Sequence, residues 1–222
     1  MNRGEVGGRR RRRRDPPVYG RSALLVEVRD YLARGHNVLL LGPRDVGKTA
    51  IIRALDLDPA TVLDPFMGVS PRLAGAIRLA MDRGGQWVAA SRTANRAEMG
   101  AVRRLAFRFS TVRVPPLSAH WIRRVLADAY AQFGLDADAV TAAWTADAVR
   151  LSRGLPGLAI AIVESAAEER RRVGHLPLPQ AAYVLTRMRR VELHSVRDGL
   201  GQLPARLRQP GAPGLDGGRG PR

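Results

Sequence analysis

From Ser22 onward, Leu24, Leu25, Val28, Tyr31 and Leu32 recur at helical spacing. That rhythm predicts an amphipathic helix capped by Ser22 and ended by Gly35. Asn37 to Leu41 is instead a short apolar run, the mark of a strand buried on both faces. Thr49 to Leu57 returns to helix, and Thr61 to Asp64 forms a second short strand. Ser70-Pro71 reads as the N-cap and first residue of a helix that stops at Gly84-Gly85. Gln86 to Ala90 predicts a third strand, Arg96 to Phe107 a helix, and Thr111 to Val114 a fourth strand closed by Pro115-Pro116. Strands alternating with helices predict a mostly parallel sheet with helices on its faces.

After Ser118 the pattern is helical throughout. Trp121, Ile122, Val125, Leu126, Ala129, Tyr130 and Phe133 form one apolar stripe ending at Gly134, read as a face packed in a core. Further helices are expected over Thr145–Ser152, Leu158–Arg172 and Pro179–Glu192. The change near residue 117 divides the chain into an α/β part (18–117) and a helical part (118–195). Residues 1–17 carry Arg9 to Arg14 and then Asp15-Pro16-Pro17, and are expected to be a disordered basic arm. Residues 196–222 are expected to be a disordered, Gly/Pro-rich tail.

Composition narrows the field. The chain has 222 residues, enough for a real core, and 45% are hydrophobic, which excludes a wholly disordered chain. Cysteine is absent, so disulfides, thiol catalysis and cysteine zinc sites are excluded. No apolar run reaches the length of a membrane span, and no apolar stretch follows the basic start as in a secretory leader. A cytoplasmic protein without a membrane partner is the expectation. The net charge is +17, and about half of the excess lies between the two tails. Such a body, with the Arg9–Arg14 arm, suits DNA or another polyanion. His36, His120, His175 and His194 show no metal-ligand spacing.

The charged residues hold a sharper signal. Lysine and arginine total 37, and only one of them is lysine, Lys48. It stands in Gly42-Pro43-Arg44-Asp45-Val46-Gly47-Lys48-Thr49, which satisfies G-x-x-x-x-G-K-[ST]. Such a loop wraps phosphate because successive backbone N–H groups point into one concavity at a helix N-terminus. Lys48 would reach the β- and γ-phosphates, and Thr49 would supply a hydroxyl to Mg²⁺. The predicted strand before the loop and helix after it are the context that this motif requires. Asp64, at the end of the second strand, is the candidate to hold the metal's ligand shell. Pro65 follows it and cannot activate water, so ATP binding is better supported than ATP hydrolysis.

With these residues in place, the chain resembles the AAA+ superfamily, in particular compact prokaryotic origin-recognition-like and STAND-like ATPases. Val18-Tyr19-Gly20-Arg21 looks like the box that precedes the phosphate loop and packs beside adenine. Leu40 to Thr49 looks like Walker A, and Thr61 to Asp64 like Walker B. Val88 to Arg92 looks like the sensor-1 strand, and Gly154-Leu155-Pro156-Gly157 like a lid motif. Arg108 sits where many members of the superfamily place an arginine finger, which would act on a neighbouring subunit's γ-phosphate. The resemblance implies a P-loop α/β core with a short parallel sheet flanked by helices, followed by an all-helical lid, with ATP and Mg²⁺ as cofactors.

This chain also departs from the pattern. Between Thr49 and Thr61 there is room for one helix, where the superfamily fits a helix, a strand and a second helix. The missing strand would lie at the sheet edge. The acidic pair of Walker B is reduced to Asp64-Pro65, and no arginine matches sensor 2. Several functions therefore stay open. One is an ATP-dependent switch or ATPase acting on DNA or on a protein partner, with or without self-association. Others are a nucleotide-binding module with little or no hydrolysis and a basic nucleic-acid-binding protein. A small-molecule kinase lacks a matching acceptor site.

Overall fold

The computed structural model describes residues 18–66, 69–92, 103–136 and 140–188. The predicted basic arm with Arg9–Arg14, the tail over 196–222, His194 and most of the helix expected over Arg96–Phe107 lie outside these residues.

The α/β part begins with helix α1 (Ser22–Ala33) and strand β1 (Asn37–Leu41). Helix α2 (Lys48–Ala54) and strand β2 (Val62–Leu63) follow. Helix α3 (Pro71–Asp82), strand β3 (Val88–Ser91) and strand β4 (Phe109–Arg113) complete it. All strand pairs are parallel, in the order β2-β3-β1-β4. The class is α/β, as the alternation predicts. β2 occupies one edge of the sheet, beside β3, and β4 the other, beside β1.

The strand residues divide between two faces. Val38, Leu40, Val88, Ala90 and Val112 pack with Val28 of α1 and with Ile51 and Ile52 of α2. Leu39, Leu63, Ala89 and Phe109 pack with Phe66 and with Ala74 and Ile77 of α3. Burial on both faces explains why β1 and β3 read as continuous apolar runs rather than alternating ones.

Helices α4 (Ala119–Phe133), α5 (Ala142–Ser152), α6 (Pro156–Val173) and α7 (179–188) gather around a core of their own. Ile122, Leu126, Ala148, Ile162, Val163 and Ala182 are among its buried members. Leu155 packs against both this core and the α1/α2 face of the sheet.

Several element ends differ from expectation. Arg21, not Ser22, is the N-cap of α1; its carbonyl accepts the first intrahelical bond, from Leu25, at 2.8 Å. α2 stops at Ala54 because Asp56 adopts a left-handed conformation, φ 52°. β2 is shorter than Thr61–Asp64 because Thr61 closes a 3₁₀ turn, its hydroxyl donating to the Asp58 carbonyl at 2.7 Å. Ala106–Arg108 is also 3₁₀ rather than α-helical, the Arg108 amide bonding to the Leu105 carbonyl at 2.8 Å. α5 begins at Ala142, earlier than expected, because the Thr141 side chain caps it by accepting from the Trp144 amide at 3.1 Å.

Candidate functional site

The glycine-rich loop leaves the end of β1 and runs into α2. Val46 anchors it, fully buried on the α1/α2 side of the sheet. The Val46 carbonyl accepts a hydrogen bond from the Arg21 guanidinium at 3.1 Å. Arg21 is itself buried, and burial lowers its pKa. The residue before α1 is thereby fastened to the back of the loop. That buried bond is a structural role for the arginine of the Tyr19-Gly20-Arg21 box.

Lys48 is the first residue of α2. Its ammonium donates to the carbonyls of Gly42 at 2.7 Å and Pro43 at 2.8 Å, folding the side chain back across the loop. Burial pulls its pKa below the ordinary lysine value; Asp64 and Asp45 oppose that shift and Arg92 adds to it. The Thr49 hydroxyl donates to Asp64 Oδ2 at 2.6 Å. A threonine hydroxyl beside a carboxylate is an all-oxygen donor pair, which suits Mg²⁺, an ion that keeps most of its waters. The residues present fit that ion. Among the described residues no three His, Cys, Asp or Glu side chains group together, so a cage built wholly of protein ligands is absent there.

These groups open into one cavity of about 760 Å³. Tyr19, Arg21, Arg44 to Thr49 and Asp64 line it. Ser91 and Arg92 contribute the end of β3, and Pro65 follows Asp64 in its wall. The helical part closes the other side with Val125, Asp128, Ala129 and Gln132 of α4 and with Pro156, Gly157 and Ile160 of α6. The cavity therefore lies between the sheet and the helices.

Gly20 lies between Tyr19 and Arg21, both of which line the cavity. A Cβ there would lie 2.5 Å from Cδ1 of Trp121, and its φ is +62°, so only glycine lets the chain cross the indole. Tyr19 stacks on Trp121 with ring centroids 6.0 Å apart, and its hydroxyl donates to Asp128 Oδ2 at 2.7 Å.

Of the proposed residues, Gly20, Gly42 and Pro43 flank the cavity without lining it, and Arg108 is set apart from the loop altogether. It precedes β4, whose first residue, Phe109, is in register with Asn37 at the start of β1. The glycine-rich loop leaves the other end of β1. Arg108 pairs with Asp82 at 2.6 Å and does not line the cavity.

Asp128, Gln132, Pro156 and Gly157 were not assigned to the site from the sequence. Asp128 lies at the margin of the apolar stripe, where a polar residue on a packing helix is ordinary, so the sequence carries no signal for it. Pro156 and Gly157 were visible only as part of the lid motif.

The sequence matches no family model and no curated protein. Solved structures do match. The Orc1 protein of Aeropyrum pernix, in complex with DNA, superposes with a TM-score of 0.58 at 17% identity, over 88% of this chain and 71% of that one. Hsp104, in a closed state with ATPγS and casein, gives 0.54 at 19% identity, over 78% of this chain and 43% of that one. A RuvB variant of Thermotoga maritima gives 0.50 at 15% identity over 75% of this chain. This chain spans 66% of the RuvB chain, just under two thirds. Identities this low speak to fold and not to activity. With the parallel sheet, the glycine-rich loop between β1 and α2, and these likenesses, the chain has the fold of the AAA+ P-loop ATPases.

Proposed function

We propose that this protein binds ATP with Mg²⁺ between its α/β core and its helical part, and that the helices act as a lid whose position depends on the nucleotide. The observation that carries this is the convergence of the Lys48 ammonium and the Thr49–Asp64 pair on a cavity that both parts wall. On entry of a triphosphate, Lys48 would exchange its two loop carbonyls for phosphate oxygens. The loop's backbone N–H groups and the N-terminus of α2 favour the same anion. Thr49 and Asp64 would hold Mg²⁺, which supplies charge neutralisation at the β- and γ-phosphates. Hsp104, which shares the fold, was solved with ATPγS, and this supports an adenine nucleotide as the class of ligand.

Coupling requires that open and closed arrangements bind ATP with different affinities. The bond from the Gly157 amide to the Asp45 carbonyl joins lid to loop, so reshaping the loop around phosphate would disturb the seat of α6. DNA is the favoured partner class. The described body and the Arg9–Arg14 arm are rich in arginine, and Orc1, of the same fold, was solved on DNA. Contacts made through charge alone would weaken steeply with salt.

A second reading, a switch with little or no turnover, is favoured by one observation. Pro65 lines the cavity directly after Asp64 and has no group to activate water. Phosphate release from MgATP, with Lys48→Ala as the blank and with and without double-stranded DNA, decides between them. Release above the blank supports an ATPase. Tight MgATP binding with no release supports the switch. No difference between the two proteins in binding or release would falsify both.

A further inference from the structure

Asp128 and Gln132 stand one turn apart on α4, in the wall of the nucleotide cavity. Val125 and Ala129 of the same helix are buried beside them, and Ile160 adds apolar surface from α6. A triphosphate resting against a carboxylate with no metal ion between them meets charge repulsion. The phosphates belong with Lys48, so the α4 wall faces an uncharged part of the ligand. An apolar wall carrying a few polar groups suits a flat heterocycle.

The Asp128 carboxylate is held in place. The Tyr19 hydroxyl donates to Oδ2, and Tyr19 is braced by its stack on Trp121. The same bond raises the Tyr19 pKa, as expected for a phenol donating to a carboxylate, with desolvation and the Asp128 charge adding to the shift. An ionised carboxylate only accepts hydrogen bonds, whereas a glutamine amide both donates and accepts. Adenine presents an amino donor beside a ring-nitrogen acceptor. Hypoxanthine and guanine present a carbonyl and a ring N–H in the opposite order.

We infer that Asp128, oriented by Tyr19, accepts a hydrogen bond from the amino group of adenine, with Gln132 donating to the adjacent ring nitrogen, and so selects ATP among purine nucleotides. This rests on the nucleotide reading above. Asp128 and Gln132 are exposed in the free protein; with ITP, a carbonyl would meet the carboxylate and leave both acceptors unpaired once the bound base shields them from water. Tyr19 is a positioning residue here, and Asp128 the specificity residue.

The test is calorimetric binding of MgATP, MgITP, MgGTP and Mg-2′-deoxyATP to the full chain. Wild type is expected to bind ATP about tenfold or more tightly than ITP or GTP. Asp128→Ala is expected to lower ATP affinity toward that of ITP and leave ITP little changed. Tyr19→Phe is expected to narrow the ATP-to-ITP ratio while keeping triphosphate binding. A wild type that prefers GTP, or that does not distinguish ATP from ITP, overturns the inference without needing a variant. Equal weakening of ATP and ITP by Asp128→Ala, with 2′-deoxyATP weaker than ATP in wild type, would place Asp128 on the sugar and also overturn it. Failure of wild type to bind any of the four, or equal binding by Lys48→Ala, overturns the nucleotide reading itself.

Discussion

The backbone amide of Gly157 donates to the carbonyl of Asp45 at 2.9 Å, so the start of the long helix α6 is bonded to the middle of the glycine-rich loop. Asp45 holds a left-handed conformation, φ 66°, uncommon for a residue with a side chain. A Cβ on residue 157 would lie 2.9 Å from Asp45 Cβ and 3.1 Å from Asp45 Cα. Gly157→Ala should therefore push α6 off the loop. The expected cost is about 1–3 kcal/mol, as for overpacking elsewhere, seen as a lower melting temperature together with weaker MgATP binding. Unchanged melting and affinity would show that the contact yields easily and does not couple the two parts.

The Thr49–Asp64 hydrogen bond makes a separate prediction about metal. Thr49→Ala or Asp64→Asn should remove most of the gain in ATP affinity that Mg²⁺ confers, by about tenfold or more. Affinity for ATP in the presence of a chelator should change little. The comparison is a titration of each protein with ATP, with and without Mg²⁺. A variant that keeps the full Mg²⁺ effect would remove these residues from the metal's shell.

Gly20 crosses the face of Trp121, and the space for a methyl group is taken by the indole. Gly20→Ala is expected to cost about 1–3 kcal/mol and to alter tryptophan fluorescence as the indole shifts. Because Tyr19 stacks on the same ring, its bond to Asp128 should also loosen. Wild-type fluorescence and stability in Gly20→Ala would contradict this packing.

Acid should act on the helical part through Asp147. Hydrogen bonds from Arg150 and Gln180 hold its carboxylate below the ordinary aspartate value, and the Gln180 bond ties α5 to α7. A depressed folded-state pKa means that this contribution is complete above the unfolded value near 3.8 and disappears as pH falls through the lower folded value. Gln180→Ala should thus melt earlier than wild type at neutral pH. The gap should shrink as pH falls below the ordinary aspartate range. A gap that stays constant with pH would show that Gln180 acts by packing alone.

Much of this arrangement was legible in the chain. The runs at 37–41 and 88–90 are mostly apolar without alternation because both sheet faces are covered, and the alternation of such runs with helical segments predicted a parallel sheet with helices on its faces. The loop was legible because phosphate chemistry demands glycine, lysine and threonine at fixed spacing. Element ends were less so, since Arg21, Asp56 and Thr61 are governed by tertiary bonds or a backbone turn that periodicity does not record. The lid wall was least legible. Asp128 looks like the polar margin of a packing helix until Tyr19, 109 positions away, is seen bonded to it. Arg108 illustrates the reverse case: its position relative to the motifs was readable, but its pairing with Asp82 depends on how α3 packs against the sheet.

The central claim is that Lys48 and the loop around it hold the phosphates of ATP. Isothermal titration of MgATP into wild type and Lys48→Ala, with thermal melting of both as the control for folding, tests it most directly. The account predicts saturable binding to wild type and at least a tenfold loss in the variant, with melting preserved in the absence of nucleotide. Equal affinity in the two proteins would contradict it.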